Sequence, residues 1–187
     1  QKELLLDSDS FCMMPWLHLH AFPDGRAYPC CFALDKYPVG DLNKNSMEEV
    51  FNGKDMTEIR KNMLDNKPSR QCTKCYDQEK SGFFSLRLSS NKHFGHNIDM
   101  VNSTTVDGKA DFIIKYWDIR FSNLCNLACR SCGTWFSSNW YEDHIKINGG
   151  PPNHAKIIKV GRKADDMWEQ VLENIDHSEQ FYFAGGE

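Results

Sequence analysis

The chain predicts an α/β protein in which a small cysteine-rich α+β unit precedes the start of a strand-and-helix layer. Three observations lead there. Phe112 to Phe121 is rich in β-branched and aromatic residues and reads as a strand, followed by helical periodicity and a second strand-like run at Phe181-Tyr182-Phe183. Near the N-terminus, period-two apolar runs flank Pro23-Asp24-Gly25, the signature of a hairpin turn. Finally, the 8 cysteines fall in close groups. The expected organisation is a cysteine-rich unit over 1–80, a connector over 81–110 and the start of the larger layer over 111–187.

Within the first unit the hairpin carries Cys12 towards Cys30, and Cys72-Thr73-Lys74-Cys75 follows much later. Between them, Ser46 and Glu49 have capping-box spacing, and Val50, Phe51, Met56, Ile59, Met63 and Leu64 recur at helical intervals. Gly53 is expected to split this stretch into two helices. The connector is polar, carries Gly82, Gly95 and Gly108, and holds His93 and His96, which read as solvated. In the last unit, alternation along the strand places Tyr116, Asp118 and Arg120 on one face and Trp117, Ile119 and Phe121 on the other. Trp135 to Ile147 predicts a helix, Gly149-Gly150-Pro151-Pro152 a break, and Asp165 to Asn174 a further helix carrying Met167, Trp168, Val171 and Leu172.

Composition narrows the function classes. The chain has 187 residues, 40% of them hydrophobic, with no apolar run of membrane-spanning length. A net charge of −4 and the absence of a basic run argue against a nucleic-acid partner. Grouped thiols suit metal sites in a reducing compartment better than disulfides, and the N-terminus lacks the apolar length of a signal peptide, so a cytoplasmic protein is expected.

The chemistry lies in Ser122-Asn123-Leu124-Cys125-Asn126-Leu127-Ala128-Cys129-Arg130-Ser131-Cys132-Gly133, a Cys-x-x-x-Cys-x-x-Cys triplet just after the predicted strand. Thiolates are soft ligands for iron–sulfur clusters, copper(I) or zinc. Three on a four-iron cube leave one iron open to another ligand. A structural zinc site is the competing reading, although zinc sites typically use close pairs of cysteines.

The triplet resembles the hallmark loop of the radical S-adenosylmethionine superfamily, and Phe181 to Glu187 resembles the Gly-Gly-Glu end of that family's second barrel strand. The resemblance implies that 111–187 begins a partial (β/α) TIM-like barrel. It also implies that Cys125, Cys129 and Cys132 bind a 4Fe-4S cluster, and that Gly185, Gly186 and Glu187 receive the amino group of S-adenosylmethionine. Reductive cleavage of that cofactor would give a 5'-deoxyadenosyl radical able to abstract hydrogen from a substrate. Ser131 departs from the family, which usually places an aromatic residue there. The N-terminal set resembles the twitch module, a shortened relative of the SPASM domain, here placed before the barrel. By that resemblance Cys12, Cys30, Cys72 and Cys75 ligate an auxiliary iron–sulfur cluster and Cys31 is a spare thiol. It further implies a peptide, protein or small-molecule substrate and an electron donor such as flavodoxin or ferredoxin.

The chain starts at Gln1 and extends only 55 residues past Cys132, so it is expected to be a piece of a longer enzyme, since a full barrel needs about 200 residues. A noncatalytic zinc-stabilised binding module and an iron–sulfur electron carrier are the rival readings. His18 and His20 share a hairpin face and read as packed histidines before metal ligands, and Asp118 and Arg120 as a mutual structural pair. No residue is singled out as catalytic, and no Ser, His and Asp arrangement or phosphate loop offers another mechanism.

Overall fold

His18–Ala21 (β1) and Arg26–Tyr28 (β2) form the antiparallel hairpin that Pro23-Asp24-Gly25 announces, with His20 opposite Tyr28 and Ala21 opposite Ala27. Phe22 N donates to Arg26 O at 3.0 Å and Gly25 N to Phe22 O at 2.9 Å. Gly25 has φ +90°, and an added Cβ would stand 2.1 Å from Asn43 Nδ2. Only glycine meets both demands.

The computed structural model describes residues 2–160 and 164–183. Gly40–Asp41 (β3), Tyr116–Ile119 (β4) and Gln180–Phe181 (β5) join the hairpin in a five-stranded sheet of order β3-β2-β1-β4-β5. β4 runs parallel to β1, pairing His18 with Tyr116 and His20 with Asp118, and β5 runs parallel to β4. Parallel neighbours require long crossovers. Between β1 and β4 the chain forms Met47–Phe51 (α1), Lys54–Leu64 (α2), Thr73–Lys80 (α3) and Leu86–Phe94 (α4); between β4 and β5 it forms Tyr141–Asn148 (α5) and Ala164–Asn174 (α6).

The capping box forms as its spacing predicts: Ser46 Oγ accepts from Glu49 N at 3.1 Å, and Glu49 Oε2 accepts from Ser46 N at 2.9 Å. Gly53 separates α1 from α2, whose Met56, Ile59 and Met63 are buried beneath Trp16, Leu17 and Phe51. Leu64, expected on that face, is 37% exposed. Arg60 enters the same core because its guanidinium donates to the carbonyls of Pro15, Phe51 and Gly108 and to Asn52 Oδ1. A buried charge needs such partners.

Segment 81–110 is mostly helical, with α4 followed by a 3-10 run over Gly95–Ser103. The strand expected over Phe112 to Phe121 is restricted to Tyr116–Ile119, because Lys115 N donates instead to Leu17 O and Ile114 N to Asn174 Oδ1. The helix expected from Trp135 begins at Tyr141, after a 3-10 turn over Ser138–Trp140. Strand alternation is as expected: Trp117 and Ile119 turn towards Val171 of α6, and Asp118 turns towards His20.

Candidate metal centres

Four chain segments converge at the end of the sheet where β1 begins. Cys12 lies just before β1, Cys30 just after β2, Cys72 at the end of the 3-10 turn Arg70–Cys72, and Cys75 in the first turn of α3. Hydrogen bonds fix them: Leu34 N donates to Gln71 O at 3.0 Å, which ties the Cys30 loop to the Cys72 turn. Asn91 of α4 accepts from Met13 N at 2.9 Å and donates to Phe11 O at 3.0 Å, bracketing Cys12. Arg87 donates to Ser8 O and Phe11 O, and grips Glu79 with Nε and Nη2.

All four thiols line one cavity, with Met14, Phe32, Met63, Leu86 and Arg87 completing the wall. Its empty space is about 330 Å³, open mouth included. Burial pushes the Cys12 and Cys30 thiols far above their ordinary range, and neighbouring cysteines push them further. Cys72 is pushed up to about 12, by burial first and then by Cys75. Burial also raises Cys75. A protein-only environment therefore favours the protonated thiols, and the positive charge of bound metal is what would stabilise four thiolates there. The donor set fits a thiolate-ligated cluster: four soft ligands share one wall, with apolar neighbours limiting water.

Cys31, adjacent to Cys30, is exposed and does not line this cavity. Its thiol is raised by burial and then by the negative charge of Asp118.

Cys125, Cys129 and Cys132 occupy the loop after β4, at the opposite end of the parallel strands. Cys125 and Cys132 are half-buried and Cys129 is exposed. Asn123, completely buried, shapes the loop: Nδ2 donates to Thr134 O at 2.9 Å and to Lys156 O at 3.0 Å, while Oδ1 accepts from Ile158 N at 2.8 Å. Cys132 N donates to Cys129 O at 2.9 Å, Trp140 Nε1 donates to the same carbonyl at 3.0 Å, and Leu127 N donates to Cys125 Sγ at 3.4 Å. An N–H aimed at a ligating sulfur is one means of setting a cluster potential. Gly185, Gly186 and Glu187 lie outside the described residues. Among the described residues, no three His, Cys, Asp or Glu side chains stand close enough to share a single metal ion. Neither cysteine set is drawn in on a point.

Sequence reasoning missed the polar side chains that hold these thiols. Asn123, Arg87 and Asn91 act through backbone groups, and no periodicity marks such roles. Asp118 does not pair with Arg120: it accepts from His20 Nδ1 at 2.8 Å, and the Arg120 guanidinium lies 4.5 Å from the Phe136 ring centre.

Four cysteines from the hairpin region and two helical turns line one cavity, a set of soft donors of the type that binds metal. Residues 12–76 match the family model of the SPASM iron–sulfur cluster-binding domain, a domain associated with radical S-adenosylmethionine enzymes. The match starts at Cys12 and ends one residue beyond Cys75, so it contains all four cavity cysteines. No curated protein and no solved structure matches the chain. No helix among the described residues is long and apolar enough to cross a membrane.

Proposed function

We propose that this chain is part of a radical S-adenosylmethionine enzyme with two iron–sulfur clusters. One observation carries the reading: four of the five cysteines enclosed by the SPASM match, Cys12, Cys30, Cys72 and Cys75, line one cavity. Cys12, Cys30, Cys72 and Cys75 hold the auxiliary cluster. Cys125, Cys129 and Cys132 hold a 4Fe-4S cluster with one open iron, and Gly185, Gly186 and Glu187 receive the methionine end of the cofactor. β4 and β5 with their crossover helices begin the partial (β/α) barrel. When bound, the clusters supply single-electron chemistry at a potential that the protein tunes.

The chain's own residues position and shield. Asn123 sets the loop that presents the triplet, and Leu127 N donates towards Cys125 Sγ. Arg87 brings a positive charge beside the auxiliary thiols, and its influence on Cys12, Cys72 and Cys75 favours their ionised forms. A peptide or protein substrate and a flavodoxin- or ferredoxin-like donor are the partners this reading favours.

The test is electron paramagnetic resonance of the anaerobically reconstituted, reduced protein, with and without S-adenosylmethionine. A signal that changes on adding the cofactor is expected. An unchanged spectrum from an iron-loaded protein would overturn the open-iron assignment.

A further inference from the structure

Among the described residues that line the thiol cavity, Arg87 alone carries a fixed charge. It is 5% exposed, so the charge stands beside four cysteines and is largely withdrawn from water. Its guanidinium is anchored through three nitrogens. Nη1 donates to Ser8 O at 2.9 Å and to Phe11 O at 3.0 Å, Nε donates to Glu79 Oε1 at 2.9 Å, and Nη2 donates to Glu79 Oε2. Ser85 Oγ also donates to Glu79 Oε1, which fixes the carboxylate. Burial alone would lower the Arg87 pKa, but the hydrogen bonds and charge of Glu79 outweigh it, so both groups stay ionised.

The ties to backbone do not by themselves call for a cation. Asn91, a neutral side chain one turn further along α4, also donates to Phe11 O. What a cation adds is electrostatic. The Arg87 charge favours ionised Cys12, Cys72 and Cys75, whereas the Glu79 charge opposes it at Cys75. A cluster held by four thiolates becomes more negative when it takes up one electron, and net charge is among the factors that set its potential. Beside it, a cation stabilises the reduced cluster more than the oxidised one, and an anion does the reverse. We propose that Arg87 and Glu79 together set the reduction potential of the auxiliary cluster, Arg87 raising it and Glu79 limiting the rise. The proposal rests on the reading of the cavity as an iron–sulfur site. Neither residue is a ligand: each acts on the cluster through its charge. The electron comes from a low-potential one-electron donor, which is oxidised as the cluster is reduced.

The test is a redox titration of the anaerobically reconstituted full chain carrying Cys129→Ala, with titanium(III) citrate as reductant and electron paramagnetic resonance as readout. In that parent chain the auxiliary cluster alone is read. Arg87→Gln should move the midpoint to lower potential and Glu79→Gln to higher potential, while Arg87→Lys should stay near the parent value. A purely structural role would not give shifts of opposite sign. Shifts of the same sign from the two glutamine variants overturn the proposal. If Arg87→Gln does not hold its cluster, Glu79→Gln decides alone, and a midpoint equal to or below that of the parent overturns it. A parent chain that binds zinc without iron and sulfide overturns the cluster reading itself, and metal analysis before the titration tells that failure apart.

Discussion

Asn123 donates its side-chain amide to the Thr134 carbonyl at 2.9 Å, closing the loop on which Cys125, Cys129 and Cys132 lie. The same amide reaches Lys156 O, and its oxygen takes Ile158 N, so one buried side chain ties three strands of backbone together. Asn123→Ala leaves those groups unpaired at about 1–3 kcal/mol each, with partial relief from water. A fall in thermal midpoint is expected, together with loss of iron from the triplet while the N-terminal cluster stays loaded. Iron analysis beside a melting curve checks both.

Gly25→Ala places a methyl group where Asn43 Nδ2 stands and forces a left-handed backbone on alanine. The expected loss is about 1–3 kcal/mol, the scale of strain at such positions. Urea denaturation reads it, and because the hairpin carries Cys30, the variant should also load its N-terminal cluster less completely.

Arg60→Met removes the donor for four buried acceptors and the cation lying 4.2 Å from the Phe51 ring centre. Stability should drop by about 1–3 kcal/mol for each acceptor left without a donor, less whatever relaxation or water recovers. A denaturant midpoint no lower than that of the wild type would contradict this.

Acid should unfold the N-terminal unit in part through Glu79. Burial alone would raise its carboxyl, but hydrogen bonds from Arg87 and Ser85 outweigh burial and hold it below the ordinary glutamate value. The ionised form is thus favoured by folding. Its contribution is complete above the unfolded value of about 4.3 and is lost as pH falls through the lower folded value. Glu79→Gln should lower stability at pH 7 and flatten its dependence on pH over the acid range, measured by urea midpoints at successive pH values.

Part of this architecture is legible locally. The hairpin turn, the Ser46 and Glu49 capping box and the break at Gly53 follow from short-range patterns, and each forms as those patterns predict. What the patterns miss is long-range. Nothing near His18 or Tyr116 specifies that β1 and β4, 98 residues apart, pair in parallel. Arg87, Ser90 and Asn91 of α4 lie in the polar segment expected to be a connector, yet they are buried, and Arg87 and Asn91 bond the backbone around Cys12. Asp118 turns to His20 rather than Arg120 because the partner strand supplies a nearer, buried donor.

The most direct test of the cluster assignment is iron, sulfide and zinc content per chain after anaerobic reconstitution, comparing the wild type with Cys72→Ser/Cys75→Ser and with Cys129→Ala. Two four-iron clusters predict about eight irons with matching sulfide in the wild type and about half that in each variant. Iron unchanged in the Cys72→Ser/Cys75→Ser variant, or zinc bound in place of iron and sulfide, would contradict the account.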